Sequence, residues 1–135
     1  MSRDAIETLG AALGYGLKRV GFEARVPQCL GVTPNEVRRW HWSKTRRRVA
    51  KCRADVRTVL SQFDKPELPI VVTMTRCSTG TCDDDGAIGA MKSVRDEIAA
   101  WLGVDDSDER ITWLVEQRRV KRTERGVVIR VEARK

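Results

Sequence analysis

The chain holds a single histidine, His41, one tyrosine and two phenylalanines, and its four cysteines form no C-x-x-C pair. Cys77 and Cys82 have four residues between them, and one imidazole cannot complete a zinc-finger set, so the spacing argues against structural zinc. No apolar run approaches the ~20 residues of a membrane helix, so no membrane partner is expected. Residues 1–20 carry an early Arg3 but no continuous apolar stretch, which predicts no signal peptide. Nothing indicates export, so the expectation is a cytoplasmic chain with reduced thiols. Cys77 and Cys82 could still oxidise across the Ser-Thr-Gly-Thr loop between them. Internal repeats and low-complexity linkers are missing too, and no small-molecule organic cofactor is expected.

What the chain has in quantity is charge, and the charge is sorted. At 135 residues, 41% hydrophobic and 33% charged, it is long enough for one domain with a real core. A net charge of +7 and a pI near 9.7 favour an anionic partner. Residues 36–57 hold nine bases against Glu36 and Asp55, and residues 110–135 hold nine bases against three acids. Between them, residues 83–109 hold nine acids against Lys92 and Arg95, a net of −7. A protein that only bound polyanions would gain nothing from that acidic block. One that binds a polyanion and also holds a divalent cation would, because carboxylates are the ligands Mg²⁺ prefers and Mg²⁺ serves most phosphodiester chemistry.

The periodicities predict alternating elements. Ile6, Leu9, Leu13, Leu17 and Val20 predict an amphipathic helix over 3–20, weakened by Gly10, Gly14 and Gly16 at about 1 kcal/mol each. Residues 22–30 alternate loosely and predict a strand, with Pro27 placing it at a sheet edge or a bulge. After a turn-rich loop from Gly31 to Asn35, Ser43 is a candidate cap for a helix running to about Gln62. Its buried stripe would be Val49, Cys52, Val56, Val59, Leu60 and Phe63. Residues 68–76, β-branched and apolar, give the strongest strand signal. A second helix is predicted over 84–102, with Ile88, Met91, Val94, Arg95, Ile98, Trp101 and Leu102 on one side and Gly103 ending it. Strands over 110–118 and 127–133 complete the order. The fold class expected is α/β (α+β): one compact domain at 22–135, with a mixed sheet of about four strands and two main helices packed on it. A separate N-terminal helical extension is expected at 1–21.

Several residues carry chemistry, each with a plainer alternative. Asp83 and Asp85, two residues apart at a strand-to-helix junction, can point the same way and share a metal. The alternative is an acidic cluster that merely favours the helix dipole, although three adjacent acids repel each other. Asp105 and Asp106 are either ligands or a solvated turn at a helix C-terminus, where negative charge is unfavourable. Lys92 can stabilise charge on a phosphate or meet DNA, or simply pair with Asp96 four residues on. The basic segment mixes bases with indoles: Arg38, Arg39, His41, Trp42, Lys44, Arg46, Arg47, Arg48 and Lys51 are candidates for nucleic-acid contact. Arg119, Lys121 and Arg122 in the C-terminal basic turn join them. Of Trp40 and Trp42, one is expected to plug the core. His41 is either a phosphate contact, a base or a structural residue.

Three pieces in this order resemble a known family. They are Pro34-Asn35 leading to His41-Trp42 and a basic helix, then Asp83-Asp84-Asp85-Gly86 opening a helix, then Lys92, Arg95 and Asp96 followed by Leu102-Gly103-Val104-Asp105-Asp106. Over residues 22–133 the chain resembles the RusA-like Holliday junction resolvases, small endonucleases found largely in phages and prophages. That resemblance implies a homodimer that cleaves four-way DNA junctions in the cytoplasm of a bacterial or phage-infected cell. It implies Mg²⁺, with Mn²⁺ as an alternative, held by Asp83, Asp85 and Asp106, with Asp105 as the alternate for the last. The family's lysine follows the second aspartate by a few residues; here that position is Gly89, and the role passes to Lys92 one turn further on. Gly86 stands where the family usually has Asn. Competing readings are a metal-dependent nuclease for other branched or nicked DNA, and a non-catalytic nucleic-acid-binding relative. A straight helix of about 17 residues rises roughly 25 Å, so Asp106 is expected to lie far from Asp85 and to complete the site of a two-fold partner.

Overall fold

A computed structural model describes residues 21–134. The predicted helix over 3–20, and with it the N-terminal extension, lies outside the described residues. The elements are β1 (Phe22–Pro27), α1 (Pro34–Arg39), α2 (Trp42–Leu60), β2 (Ile70–Ser78), α3 (Asp84–Ala90), α4 (Lys92–Leu102), β3 (Ile111–Arg119) and β4 (Gly126–Ala133), with a short 3₁₀ turn at Arg122–Glu124. The four strands form one mixed sheet in the order β1-β4-β2-β3. β2 runs parallel to β3 and antiparallel to β4. β1 pairs only with β4, so Pro27 falls at the end of an edge strand, where its missing N–H costs no ladder bond.

Strand alternation decides which face the helices cover. The registers put Ala24, Val26, Val72, Met74, Ile129 and Val131 on one face, and all six are buried. α2 meets that face with Cys52, Val56 and Leu60, and α4 meets it with Val94 and Ile98, both sets at helical spacing. Phe22 stacks on Phe63 at 4.4 Å between ring centroids and meets Trp101 edge-on at 5.9 Å, closing the core below β1. The result is a small α+β domain with a four-stranded mixed sheet, as the periodicities implied.

A buried ion cluster holds the two long helices together. Glu97 of α4 keeps only 4% of its side chain exposed. It accepts from Arg53 Nε at 3.0 Å and from Arg57 Nε and Nη2 at 3.0 and 3.2 Å, both on α2. Burial alone would raise its pKa, but the hydrogen bonds from Arg57 and Arg53 outweigh that and hold the carboxyl below its ordinary value.

Three local expectations are corrected. The loop predicted from Gly31 to Asn35 ends earlier, because Thr33 and Glu36 form a reciprocal capping box with Pro34 in the first turn of α1, a signature present in the sequence. The helix expected to be continuous over 84–102 breaks at Met91, whose φ of −86° and ψ of 0° separate α3 from α4. The break lies where another part of the chain packs closely. A Cβ on Gly31, which has φ +69°, would sit 1.8 Å from the Ala90 carbonyl, and one on Gly89 would sit 2.8 Å from Pro34. The loop before α1 therefore presses directly on the α3–α4 junction. Finally, Cys29 and Cys52 are joined as a disulfide, with Cα atoms 5.6 Å apart, rather than standing reduced. Cys77 is buried in β2, and Cys82 is also free. No helix among the described residues is long and apolar enough to cross a membrane.

Candidate nucleic-acid interface and acidic site

The basic helix divides into two halves. Its buried residues, Cys52, Val56 and Leu60, all lie in the second half, so Trp42–Lys51 has no core residue to anchor. His41 caps it in place of Ser43: its Nδ1 accepts from the Ser43 backbone N–H at 3.2 Å. Neither indole enters the core, contrary to expectation. Trp42 is 64% exposed, with the Arg46 guanidinium 5.1 Å from its ring centre. Trp40, half-buried, lies beneath Lys44 at 4.2 Å and Arg48 at 5.3 Å. Cations packed on indole faces are mutually stabilising and keep the rings upright at the surface. Arg38, Arg39 and Arg47 are exposed around them, with Arg38 also reaching Asn35. An exposed indole surrounded by guanidinium groups suits a base and its phosphate together.

The second basic block reaches the acidic one. Gln117 of β3 accepts from the Cys82 backbone N–H at 3.0 Å and donates to its carbonyl at 2.7 Å. Arg118 and Arg119 follow directly, and the Val120 N–H donates to the Ser78 carbonyl. The exposed Arg119, Lys121 and Arg122 therefore sit at the same end of the sheet as Asp83.

Each acid has a place. Asp83 caps α3, its Oδ1 accepting from the Gly86 N–H at 2.8 Å. Asp84 and Asp85 are exposed in the first turn. Asp84 lines a cleft of about 760 Å³ with Ile88, Arg95, Trp113 and Glu116. Asp105 closes a turn on Ser107, whose backbone N–H and then hydroxyl lower its pKa. Asp106 faces Arg95, which places Nε 3.4 Å from its Oδ2, while Arg95 Nη2 and Trp113 Nε1 each donate to its carbonyl at 3.0 Å. Arg95 also lies 4.9 Å over the Trp113 ring. The sequence places Arg95 in the buried stripe and in the resembling motif but gives it no role at the site; the signal that could single it out is a guanidinium among apolar neighbours. Lys92 pairs with Asp96 at 3.5 Å, the plainer alternative. It also shares a cavity of about 280 Å³ with Ile88, Gly89, Arg95 and Asp106.

That last grouping changes the distance argument. The loop after α4 folds back, so Asp106 stands beside the α3–α4 junction, not a full helix length from Asp85. The straight-helix figure of about 25 Å overstates that separation, yet among the described residues Asp85 and Asp106 still belong to no common metal-holding group.

No protein-family model matches this chain, and no curated protein matches it. The donors are hard oxygens of the kind Mg²⁺ takes, and such ligands must converge within ~2 Å of one ion. Among the described residues, no three His, Cys, Asp or Glu side chains form a group that could hold a metal. In this arrangement Asp83 Oδ1 caps α3 and Asp106 faces Arg95.

Proposed function

We propose that this chain binds branched DNA and cleaves its phosphodiesters as a structure-specific, Mg²⁺-dependent endonuclease of the RusA-like junction-resolving kind, acting as a cytoplasmic homodimer. The observation that carries the nucleic-acid half is the free N-terminal half of α2. There no residue is fully buried, and Trp42, 64% exposed, stands beside Arg46 and Arg47. A four-way junction offers unpaired or unstacked bases at its centre, and a stacking platform flanked by cations fits that feature better than it fits uniform duplex. The catalytic half rests on donor chemistry: Asp83, Asp85 and Asp106 are oxygen donors near a basic surface. Assembly of a metal set then requires Asp106 to leave Arg95, or a second chain to contribute carboxylates.

A second reading has its own observation. Asp83 as a helix cap and Asp106 as the partner of Arg95 are complete structural roles, which suits a nucleic-acid-binding protein without hydrolytic activity. One assay separates the two: purified protein with labelled four-way, flap and linear duplex DNA, in Mg²⁺ or EDTA. Symmetric nicking of the junction in Mg²⁺ alone is the expected result. Equal cutting of all three substrates would mean a nuclease of other preference, and binding without cutting would establish the non-catalytic reading.

A further inference from the structure

A cavity of about 330 Å³ lies between the loop after β1, α2 and the turn before β4. Its walls carry Arg48 and Lys51 from α2 and Arg125 from the turn, with Asp55 as the one acid. Lys51 already engages Asp55 at 3.0 Å, so among the described residues the two guanidinium groups have no carboxylate partner inside the cavity. Arg125 is the telling residue. Its Nε is shielded from solvent and makes no hydrogen bond. Its Nη2 reaches only Gln28 Oε1, at a long 3.5 Å. Shielded donors are nearly always satisfied, and a charged one left open marks a place where an acceptor belongs.

The walls are also fixed in advance. The Gln28 N–H donates to the Arg125 carbonyl at 2.8 Å, and Gln28 adopts φ +59°, a left-handed conformation uncommon outside glycine. The Cys29–Cys52 bond ties that loop to α2 at the cavity wall. A cavity of this size exceeds several times the roughly 30 Å³ share of one water, enough for a tetrahedral anion and a few waters. Arg48 joins the cavity to the surface at the start of α2, because its guanidinium also rests over Trp40.

We propose that this cavity is a phosphate-binding pocket in which Arg125 and Arg48 grip one phosphate group, either a phosphodiester of a bound nucleic-acid strand or a free phosphate. The strand version rests on the nucleic-acid reading above; the pocket itself does not. The test uses the full-length oxidised chain. Inorganic phosphate is titrated at constant ionic strength while arginine Nε–H resonances are followed by NMR. Binding of a labelled four-way DNA junction is then measured against salt for wild type, Arg125→Gln, Arg48→Gln and Lys65→Gln, the last removing a charge away from the cavity.

A saturable shift of the Arg125 Nε–H is expected, weakened on the order of tenfold or more by Arg48→Gln, the worth of one charge-assisted hydrogen bond, and in Arg125→Gln the Arg48 Nε–H, followed in its place, should report the same weakening. The DNA salt slope should fall by about one unit in both, and less in Lys65→Gln. A saturable phosphate shift with unchanged DNA slopes supports the pocket and overturns its use by a strand. Shifts that do not saturate, or that chloride reproduces, overturn the pocket outright. If wild type fails to bind DNA, the nucleic-acid reading falls while the phosphate titration still decides the pocket. If Arg125→Gln does not fold, Arg48→Gln on the exposed helix face carries the test.

Discussion

Replacing Glu97 with glutamine should loosen the clamp between α2 and α4, and the size of the effect can be worked from its contacts. Glu97 receives three hydrogen bonds from two guanidinium groups in a site where its side chain is 4% exposed. Hydrogen bonds to a charged group contribute roughly 1.5–3 kcal/mol each before relaxation. Arg53 and Arg57 are 37% and 66% exposed at their side chains, so both can turn to water once the charge is gone. That escape removes most of the penalty of a stranded buried charge, and the amide keeps one acceptor oxygen. The expected loss is about 2 kcal/mol at neutral pH, a fall in Tm of roughly 6–10 °C for a chain of this size. The pH dependence follows from the direction of the shift. The folded pKa of Glu97 lies below its ordinary 4.5, so its contribution is present above that value and is lost as pH falls through the folded pKa. Thermal unfolding of wild type and Glu97→Gln from pH 7 to pH 2 should therefore show a gap that narrows below about pH 4.5. Asp108, lowered to about 2 by the Arg110 side chain and then its backbone N–H, adds acid sensitivity common to both proteins. A variant as stable as wild type at pH 7, or a gap undiminished at the acid end, would refute the clamp. Duplex affinity well below Tm should be unchanged, because Glu97 contacts the anchored half of α2.

Four further outcomes are expected. Asp85→Asn should abolish junction cleavage while leaving affinity equal or tighter, since it removes a donor and a repulsion of phosphate; wild-type nicking rates in a gel assay would remove Asp85 from the site. Arg46→Ala with Arg47→Ala should reduce the slope of log affinity against log salt by about two units, and an unchanged slope would move the DNA surface to the C-terminal basic turn. Trp42→Ala should weaken binding to a junction by about 1–3 kcal/mol if one base stacks there, with little change in Tm because the ring is exposed; equal affinity in fluorescence anisotropy would discard the platform. Gly31→Ala should destabilise the fold by about 3 kcal/mol, combining a left-handed backbone with overpacking against Ala90, and a denaturation midpoint like that of wild type would contradict the close contact.

The sequence by itself determined what depends on neighbours in the chain. The β-branched run at 68–76, found as a strand at Ile70–Ser78, the edge position of Pro27, the Gly103 cap with its left-handed φ of 76° and the stripe Cys52-Val56-Leu60 all follow from local period and backbone preference. So did the three charge blocks, and the plainer alternatives for Asp83 and Lys92 proved to describe actual contacts. Tertiary structure decided the rest. The break at Met91 lies against a loop 57 to 60 residues earlier, which presses through Gly31 and Pro34. Glu97 meets its arginines across 40 and 44 residues, and Arg125 meets Gln28 across 97. The return of Asp106 to the α3–α4 junction likewise hangs on Arg95 and on Trp113, a strand residue. A hydrophobic period states which face of an element is buried, but not which element will cover it. Pairings of single charged or small residues across the sheet carry no period, so they exist only once the core has brought those elements together.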